Sequence, residues 1–321
     1  MEATSIDVID ESRAILARHA RTFSLASFFL SKSQKDDAAV VYAFCRTVDD
    51  LVDEAVDAET GRKDIEALAQ MLRGERPPSA LAAAFMEVAH RRRIPLQAAH
   101  DLMDGVVSDV GEVTVKTDAE LIQYGYAVAG TVGLMMCGVI GVEDEWAQAH
   151  AIDLGIGMQI TNICRDVMED ADRGRIYVPT QRLLAAGIHP EALRSGLVDP
   201  VQMAPVVEDL LALADSYYAS GDQGMPAIPT RPRLAICAAS RVYHAIGHEL
   251  ERQDHDVTRG RAVVPGWRKA LCVVRAVFMA ATCRWMPQQP HDTRLHLPLQ
   301  GRPGVSDAEP LLRLVNSGNG R

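Results

Sequence analysis

Two short segments of the chain gather acidic and basic side chains at helical spacing. The first is Tyr42-Ala-Phe-Cys-Arg46-Thr-Val-Asp49-Asp50-Leu-Val-Asp53-Glu54. On a helix Asp49 and Asp53 are four residues apart and share a face, with Arg46 one turn before Asp49 and Tyr42 one turn before Arg46. The second is Gln159-Ile-Thr-Asn162-Ile-Cys-Arg165-Asp166-Val-Met-Glu-Asp170, where Asp166 and Asp170 repeat that spacing and Asn162 precedes Asp166 by one turn. Carboxylates on adjacent turns repel unless a cation offsets them. A solvated acidic face would explain either run alone. However, Tyr42, Phe44, Leu51 and Val52 embed the first in apolar sequence, and Ile156, Met158, Ile160, Ile163 and Val167 embed the second. Polar groups in such a setting need partners.

Carboxylates and an amide are all-oxygen donors. They suit Mg²⁺, with Mn²⁺ as the alternative ion, rather than zinc. Mg²⁺ keeps several waters and bridges a few carboxylates to substrate phosphates. Arg46, Arg165 and the arginines of the 171–179 loop, Arg173 and Arg175, would neutralise charge on a departing diphosphate. The chain has no P-loop and no dinucleotide fingerprint, so the phosphate is not expected to be that of a nucleotide. Two such clusters facing each other across a cavity in an apolar helical core point to ionisation of an isoprenoid diphosphate.

Helices must hold these groups. Periodicity predicts them over 5–20, 34–57, 62–73, 79–92, 95–110, 118–141, 143–171, 201–219, 231–253 and 266–285, separated by Gly and Pro breakers, with no run of alternating β-branched residues. The expected fold is all-α: one domain over 1–286, and a Pro-, Gly-, Asn- and Gln-rich tail over 287–321 expected to be mobile. Residues 121–142 carry no charge and are just long enough to span a bilayer. Gly125, Gly130, Gly133, Gly138 and Gly141 interrupt them, so a fully buried helix is expected instead. The 321 residues hold 33 basic and 43 acidic side chains, a net charge of −10, which argues against nucleic acid as a partner. The six cysteines lie far apart, with no C-x-x-C pair and no Cys/His cluster at zinc spacing. They read as buried, reduced thiols of a cytoplasmic protein, and the acidic N-terminus shows no signal peptide.

Seven stretches together resemble the squalene/phytoene synthase family, most of all its bacterial phytoene-forming branch. They are His19-Ala-Arg-Thr-Phe23, the run 42–53, Tyr124-Gly-Tyr-Ala-Val-Ala-Gly-Thr-Val-Gly133, the run 154–170, Arg175-Ile-Tyr-Val-Pro179, Ser240-Arg-Val-Tyr243, and the stretch from Arg259 through Arg261 to Lys269. The resemblance spans roughly residues 12–285, and Gly125 departs mildly from the Cys, Ser or Ala usual there. It implies a single-domain isoprenoid-synthase helical bundle around a central apolar cavity. It also implies head-to-head condensation of two prenyl diphosphates through a cyclopropyl diphosphate. Asp49, Asp53, Asp166 and Asp170 then match the metal- and diphosphate-holding aspartates, with Asn162 among the metal ligands. His19, Arg21, Thr22, Tyr42, Arg46, Gln159, Arg165, Arg175, Arg261 and Lys269 match substrate-binding positions, and Tyr124 and Tyr243 match tyrosines at the reaction centre.

Small residues such as Ala26 and Ser27, beside Phe28 and Phe29, favour a twenty-carbon geranylgeranyl chain and a phytoene product without NADPH. Farnesyl diphosphate, giving dehydrosqualene or presqualene diphosphate, is the alternative. A non-catalytic assembly factor is expected to show broken aspartate motifs, and both are intact. Trp267, Arg268, Lys269, Arg275, Arg284 and Trp285 give the last helix a basic, aromatic-flanked character. That suggests peripheral contact with an anionic membrane on its inner face, where a downstream desaturase would be a further partner.

Overall fold

The structure is a computed structural model that describes residues 5–19, 30–142, 144–285 and 289–305. Local signals set the helix starts. Ser31 accepts from the Gln34 amide at 3.2 Å while Gln34 Oε1 accepts from the Ser31 amide at 3.1 Å, a reciprocal cap that opens the helix of the first acidic run. Asp57, Ser79 and Thr117 cap three later helices through their side chains.

In chain order the helices are α1 (Ser5–His19), α2 (Lys32–Asp53), α3 (Ala58–Leu72), α4 (Ala80–Arg92) and α5 (Leu96–Val107). Next come α6 (Asp118–Gly125), α7 (Thr131–Ile140), α8 (Trp146–Asp172), α9 (Thr180–Ala185) and α10 (Pro190–Arg194), then α11 (Pro200–Gly224), α12 (Thr230–Arg252) and α13 (Gly266–Thr282). The long helices match expectation to within a few residues, but the first acidic helix stops at Asp53 rather than running to 57. The short α9 and α10 escaped periodicity because each spans less than two turns. Two short strands, β1 (Val113–Thr114) and β2 (Arg175–Ile176), pair in parallel and tie the loop after α5 to the end of α8.

The helix α8 is the centre of the bundle. It packs against α11, α12 and the α6–α7 segment, and its Ile152, Ile156, Ile160 and Ile163 are fully buried or nearly so. Close approach of α7 and α8 depends on two glycines. A Cβ on Gly133 would sit 2.3 Å from the Ala151 carbonyl oxygen, and one on Gly155 would sit 2.4 Å from the Ala129 oxygen. A π turn over Tyr126–Gly130 joins α6 to α7. The helical stretch Asp118–Ile140 is long and apolar enough to cross a membrane, and 56% of its most apolar 18 residues are buried in the bundle. Much of the remainder faces an internal cavity instead of being fully buried as expected. All six cysteines are buried and free, as expected.

Part of the expected mobile tail packs on the bundle. Residues Thr293–Leu299 form a 3₁₀ turn that buries His296 and Leu299. Tyr217 donates to the Leu295 carbonyl at 2.9 Å, Gln123 to the Pro298 carbonyl at 3.0 Å, and Arg302 to Asp101 at 3.1 Å. Tyr217 and Gln123 thereby satisfy backbone carbonyls that composition alone would leave to water, and Arg302 ties the segment to the buried Asp101.

Candidate active site

The C-terminal parts of α2 and α8 bring the two acidic runs to one cavity. It has a volume of about 230 Å³, and Asp49 and Asp53 line it together with Asp166 and Asp170. Gln159, Asn162, Arg165, Arg175 and Tyr124 complete its predicted lining. A second cavity of about 290 Å³ is walled by apolar groups of the π turn, α7, α8 and α11, among them Val128, Val132, Met136, Leu154 and Met158. Tyr42 and Tyr243 line this second cavity. Gln159 and Asn162 line both, so a polar compartment and an apolar one meet at these two amides.

The charges in the polar cavity are unevenly paired. Arg165 holds Asp166 through two hydrogen bonds of 2.7 and 2.5 Å, Arg261 reaches Asp166 at 3.0 Å, and Arg175 donates to Asp53 at 2.9 Å. Arg46 pairs with Asp50 on its own helix. Asp49 and Asp170 make no salt bridge or side-chain hydrogen bond among the described residues. Burial pushes Asp49 up to about 7; Arg46 opposes this and Asp53 adds to it. Burial likewise lifts Asp170 to about 7, with Asp166 adding and Arg173 and Arg175 opposing. The Asn162 carbonyl oxygen is buried with no hydrogen-bond partner. Unpaired carboxylates on two helices, beside an unsatisfied amide oxygen, form an oxygen donor set that fits a hard divalent cation.

One important lining residue was missed. Asp109, in the loop after α5, accepts from Tyr124 at 2.9 Å and from Tyr177 at 2.8 Å. The two rings stack with centroids 4.6 Å apart. Burial lifts Asp109 to about 6 although both hydroxyls hold it down, while burial and the Asp109 charge keep Tyr124 protonated. A single acid after a helix end gives no periodic signal; its only mark is its place beside the apolar pair Val106-Val107.

Other expectations fare differently. Lys269 is exposed on α13 and lines neither cavity, because that helix buries only Cys272, Ala276 and Ala280 and leaves Lys269 and Arg275 on its exposed face. His19 is the last residue of α1. Arg21 and Thr22, with Ala26, Ser27, Phe28 and Phe29, lie outside the described residues.

A second group of metal-capable side chains lies outside the aspartate-lined cavity. The ligand atoms of His150, Asp153 and His291 lie within 4.8 Å of one another, and His296 is 2.9 Å from Asp153. The spacing His291-x₄-His296 was available in the sequence, but its partners lie far away on α8.

Comparisons with known proteins agree with this architecture. A sequence profile described as squalene/phytoene synthase matches residues 16–268. A phytoene synthase of Thermus thermophilus is 38% identical over 272 residues, covering 83% of this chain and 91% of its own length. A 15-cis-phytoene synthase of Synechococcus elongatus is 32% identical over 296 residues, covering 87% and 95%. Among solved structures, a dehydrosqualene synthase in complex with ligand superposes with a TM-score of 0.78 at 25% identity, covering 87% of this chain and 98% of the other. The squalene synthase HpnC from Alicyclobacillus acidocaldarius shares the fold, with a TM-score of 0.69 at 24% identity, covering 78% and 95%. The chain belongs to the squalene/phytoene synthase family.

Proposed function

We propose that the protein condenses two geranylgeranyl diphosphates head to head into phytoene, through a cyclopropyl diphosphate, releasing diphosphate twice. The observation that carries this reading is the meeting of a carboxylate-lined cavity with an apolar one at Gln159 and Asn162. A prenyl diphosphate has that same division, a charged head on an apolar chain. The phytoene synthases at 32 and 38% identity support the twenty-carbon substrate over the fifteen-carbon one.

Asp49, Asp53, Asn162, Asp166 and Asp170 would hold Mg²⁺, which supplies Lewis-acid stabilisation of the leaving diphosphate oxygens. The chain does the rest. Arg165 and Arg175, now paired with Asp166 and Asp53, turn their forked donors to the diphosphate as negative charge grows on it. The apolar walls from α7, α8 and α11 hold the prenyl chains and keep water from the allylic cation. Asp109 fixes the Tyr124 hydroxyl at the cavity edge, where it orients the reacting carbons. The exposed apolar and basic surface of α13 would rest on an anionic membrane, which receives the lipophilic product and would present it to a desaturase.

The test is incubation with each prenyl diphosphate and Mg²⁺, without NADPH, followed by mass identification of the lipid extract. Phytoene from the twenty-carbon substrate is expected. A thirty-carbon product from farnesyl diphosphate alone would overturn the substrate choice, and absence of diphosphate release from either would overturn catalysis.

A further inference from the structure

Behind the apolar cavity, away from the aspartates, lies a buried group of side chains that the condensation does not use. His150 and Asp153 are three residues apart on one face of α8, and both are essentially inaccessible. His291 and His296 come from the C-terminal segment. The Nε2 of His291 lies 2.6 Å from Asp153 Oδ2 and the Nε2 of His296 lies 2.9 Å from Asp153 Oδ1. Ser220 of α11 bridges the set, donating to Asp153 Oδ2 at 2.5 Å and meeting His150 Nδ1 at 2.8 Å.

Three facts separate this cluster from an ordinary hydrogen-bond network. The Asp153 carboxylate is fully buried, and no lysine or arginine pairs with it among the described residues. The His291 and His296 rings pair with that buried carboxylate, and a bound cation would take the place of the protons they share with it. His150 Nε2 is buried without a hydrogen-bond partner, on a ring that is 1% exposed. The helices α8 and α11 meet closely at this point, because a Cβ on Gly224 would come within 2.6 Å of the His150 Cβ; only glycine leaves room for His150 there.

We propose that His150, Asp153, His291 and His296 form a structural Zn²⁺ site that staples residues 289–305 to α8. His150, Asp153 and His291 already hold their ligand atoms within 4.8 Å of one another, and His296, hydrogen-bonded to Asp153 at 2.9 Å, would swing in as the fourth ligand; three imidazoles and one carboxylate suit this borderline ion, and His-x₄-His falls within the usual spacing of a zinc ligand pair. Tetrahedral ligands at ordinary zinc distances stand about 3.3 Å apart. The present 2.6 and 2.9 Å contacts therefore open by roughly half an ångström when the ion enters, a shift that side-chain rotation in the 3₁₀ segment supplies. The site differs from the aspartate-lined cavity in both ligand chemistry and residues, and His150 alone touches the apolar cavity.

The experiment uses the full chain purified without a polyhistidine tag. Elemental analysis is expected to find one zinc per chain. This zinc should persist in the Asp49→Asn/Asp166→Asn variant and be lost in His291→Ala/His296→Ala. Cobalt(II) exchanged into the wild-type chain should give the intense visible bands of a tetrahedral ion. Removing the metal should speed amide hydrogen exchange across 289–305 at least tenfold. Zinc lost with the aspartates but kept without the two histidines would overturn the proposal. A metal-stripped wild-type chain that takes up neither Zn²⁺ nor Co²⁺, or a weak octahedral cobalt spectrum, would also overturn it. These wild-type readouts decide the matter even if the double histidine variant fails to fold.

Discussion

Arg175 donates to Asp53 across 2.9 Å although 122 residues separate them. The pair joins the end of α2 to β2, the strand that follows α8, and so brings the two acidic helices together at one mouth. It also leaves Asp49, a turn before Asp53, without a salt bridge among the described residues. The guanidinium is partly shielded and the Asp53 side chain is 42% exposed, so the pair adds little stability. On the proposed reading, its value lies in releasing the Arg175 guanidinium from the carboxylate to the diphosphate. Arg175→Ala is expected to lower kcat/KM for diphosphate release by about a hundredfold with the thermal midpoint nearly unchanged. Arg175→Lys keeps the charge but loses the fork, and should recover only part of that loss. Steady-state kinetics with calorimetry of each variant checks this; a large fall in midpoint would assign Arg175 to stability instead.

The pH dependence of stability should reveal the unpaired carboxylates. Asp49 and Asp170 are both raised to about 7 in the folded protein, above the 3.8 of the unfolded chain. A carboxylate raised on folding binds more protons in the native state, so its stability contribution is complete in acid and is lost as pH rises through the folded value. His150, lowered to about 4, acts oppositely, but only below its ordinary value of 6.5. Between about pH 6.5 and 8 the aspartates dominate, and the metal-free protein should lose about two degrees of midpoint. Mg²⁺ replaces the protons, so its stabilisation should be larger at pH 8 than at pH 6.5. Differential scanning calorimetry with chelator and with Mg²⁺ at both pH values tests this. An equal Mg²⁺ shift at the two would show that these carboxylates do not meet the ion.

Asp109 yields a prediction that the motifs alone do not. It anchors the hydroxyls of Tyr124 and Tyr177 at once. Asp109→Asn keeps the size and one acceptor but removes the charge. Turnover should fall by about ten- to a hundredfold, the range for a residue that orients another. Tyr177→Phe, which removes one of the two donors, should cost less. If Asp109→Asn lowers the thermal midpoint sharply and leaves turnover per folded molecule unchanged, the residue is structural only.

What the sequence makes legible follows the reach of periodicity. The pairs 49/53 and 166/170 are visible because a helix converts a spacing of four into a shared face. That these faces meet across one cavity was inferred from their chemistry, and the bundle bears it out. Asp109 and the histidine cluster were hidden because their meaning depends on contacts between distant segments: Asp153 meets His291 over a separation of 138 residues. Tail composition misled in the same way. Residues 289–305 are rich in proline and polar groups, but Tyr217, Gln123 and Tyr126 supply donors to their carbonyls.

The outer face of α13 gives the last prediction. Trp267, Leu271, Val274 and Phe278 recur at spacings of four, three and four, which places them in one stripe. Their exposures are 65, 43, 64 and 72%, while the opposite face buries Cys272, Ala276 and Ala280 against the bundle. Lys269 and Arg275 are exposed on the same helix, and Arg268 stacks on Trp267 at 4.8 Å. Aromatic and aliphatic side chains with flanking cations match the boundary of an anionic bilayer. The protein should therefore sediment with vesicles containing anionic lipid, and less so as salt rises. Lys269→Glu/Arg275→Glu should weaken binding at low salt, and Trp267→Ser/Phe278→Ser should weaken it at all salt concentrations. Neither substitution touches either cavity, so turnover of micelle-dispersed substrate should be unchanged. If the chain ignores such vesicles but forms a dimer that Trp267→Ser/Phe278→Ser dissolves, the stripe serves a second copy and the membrane reading fails.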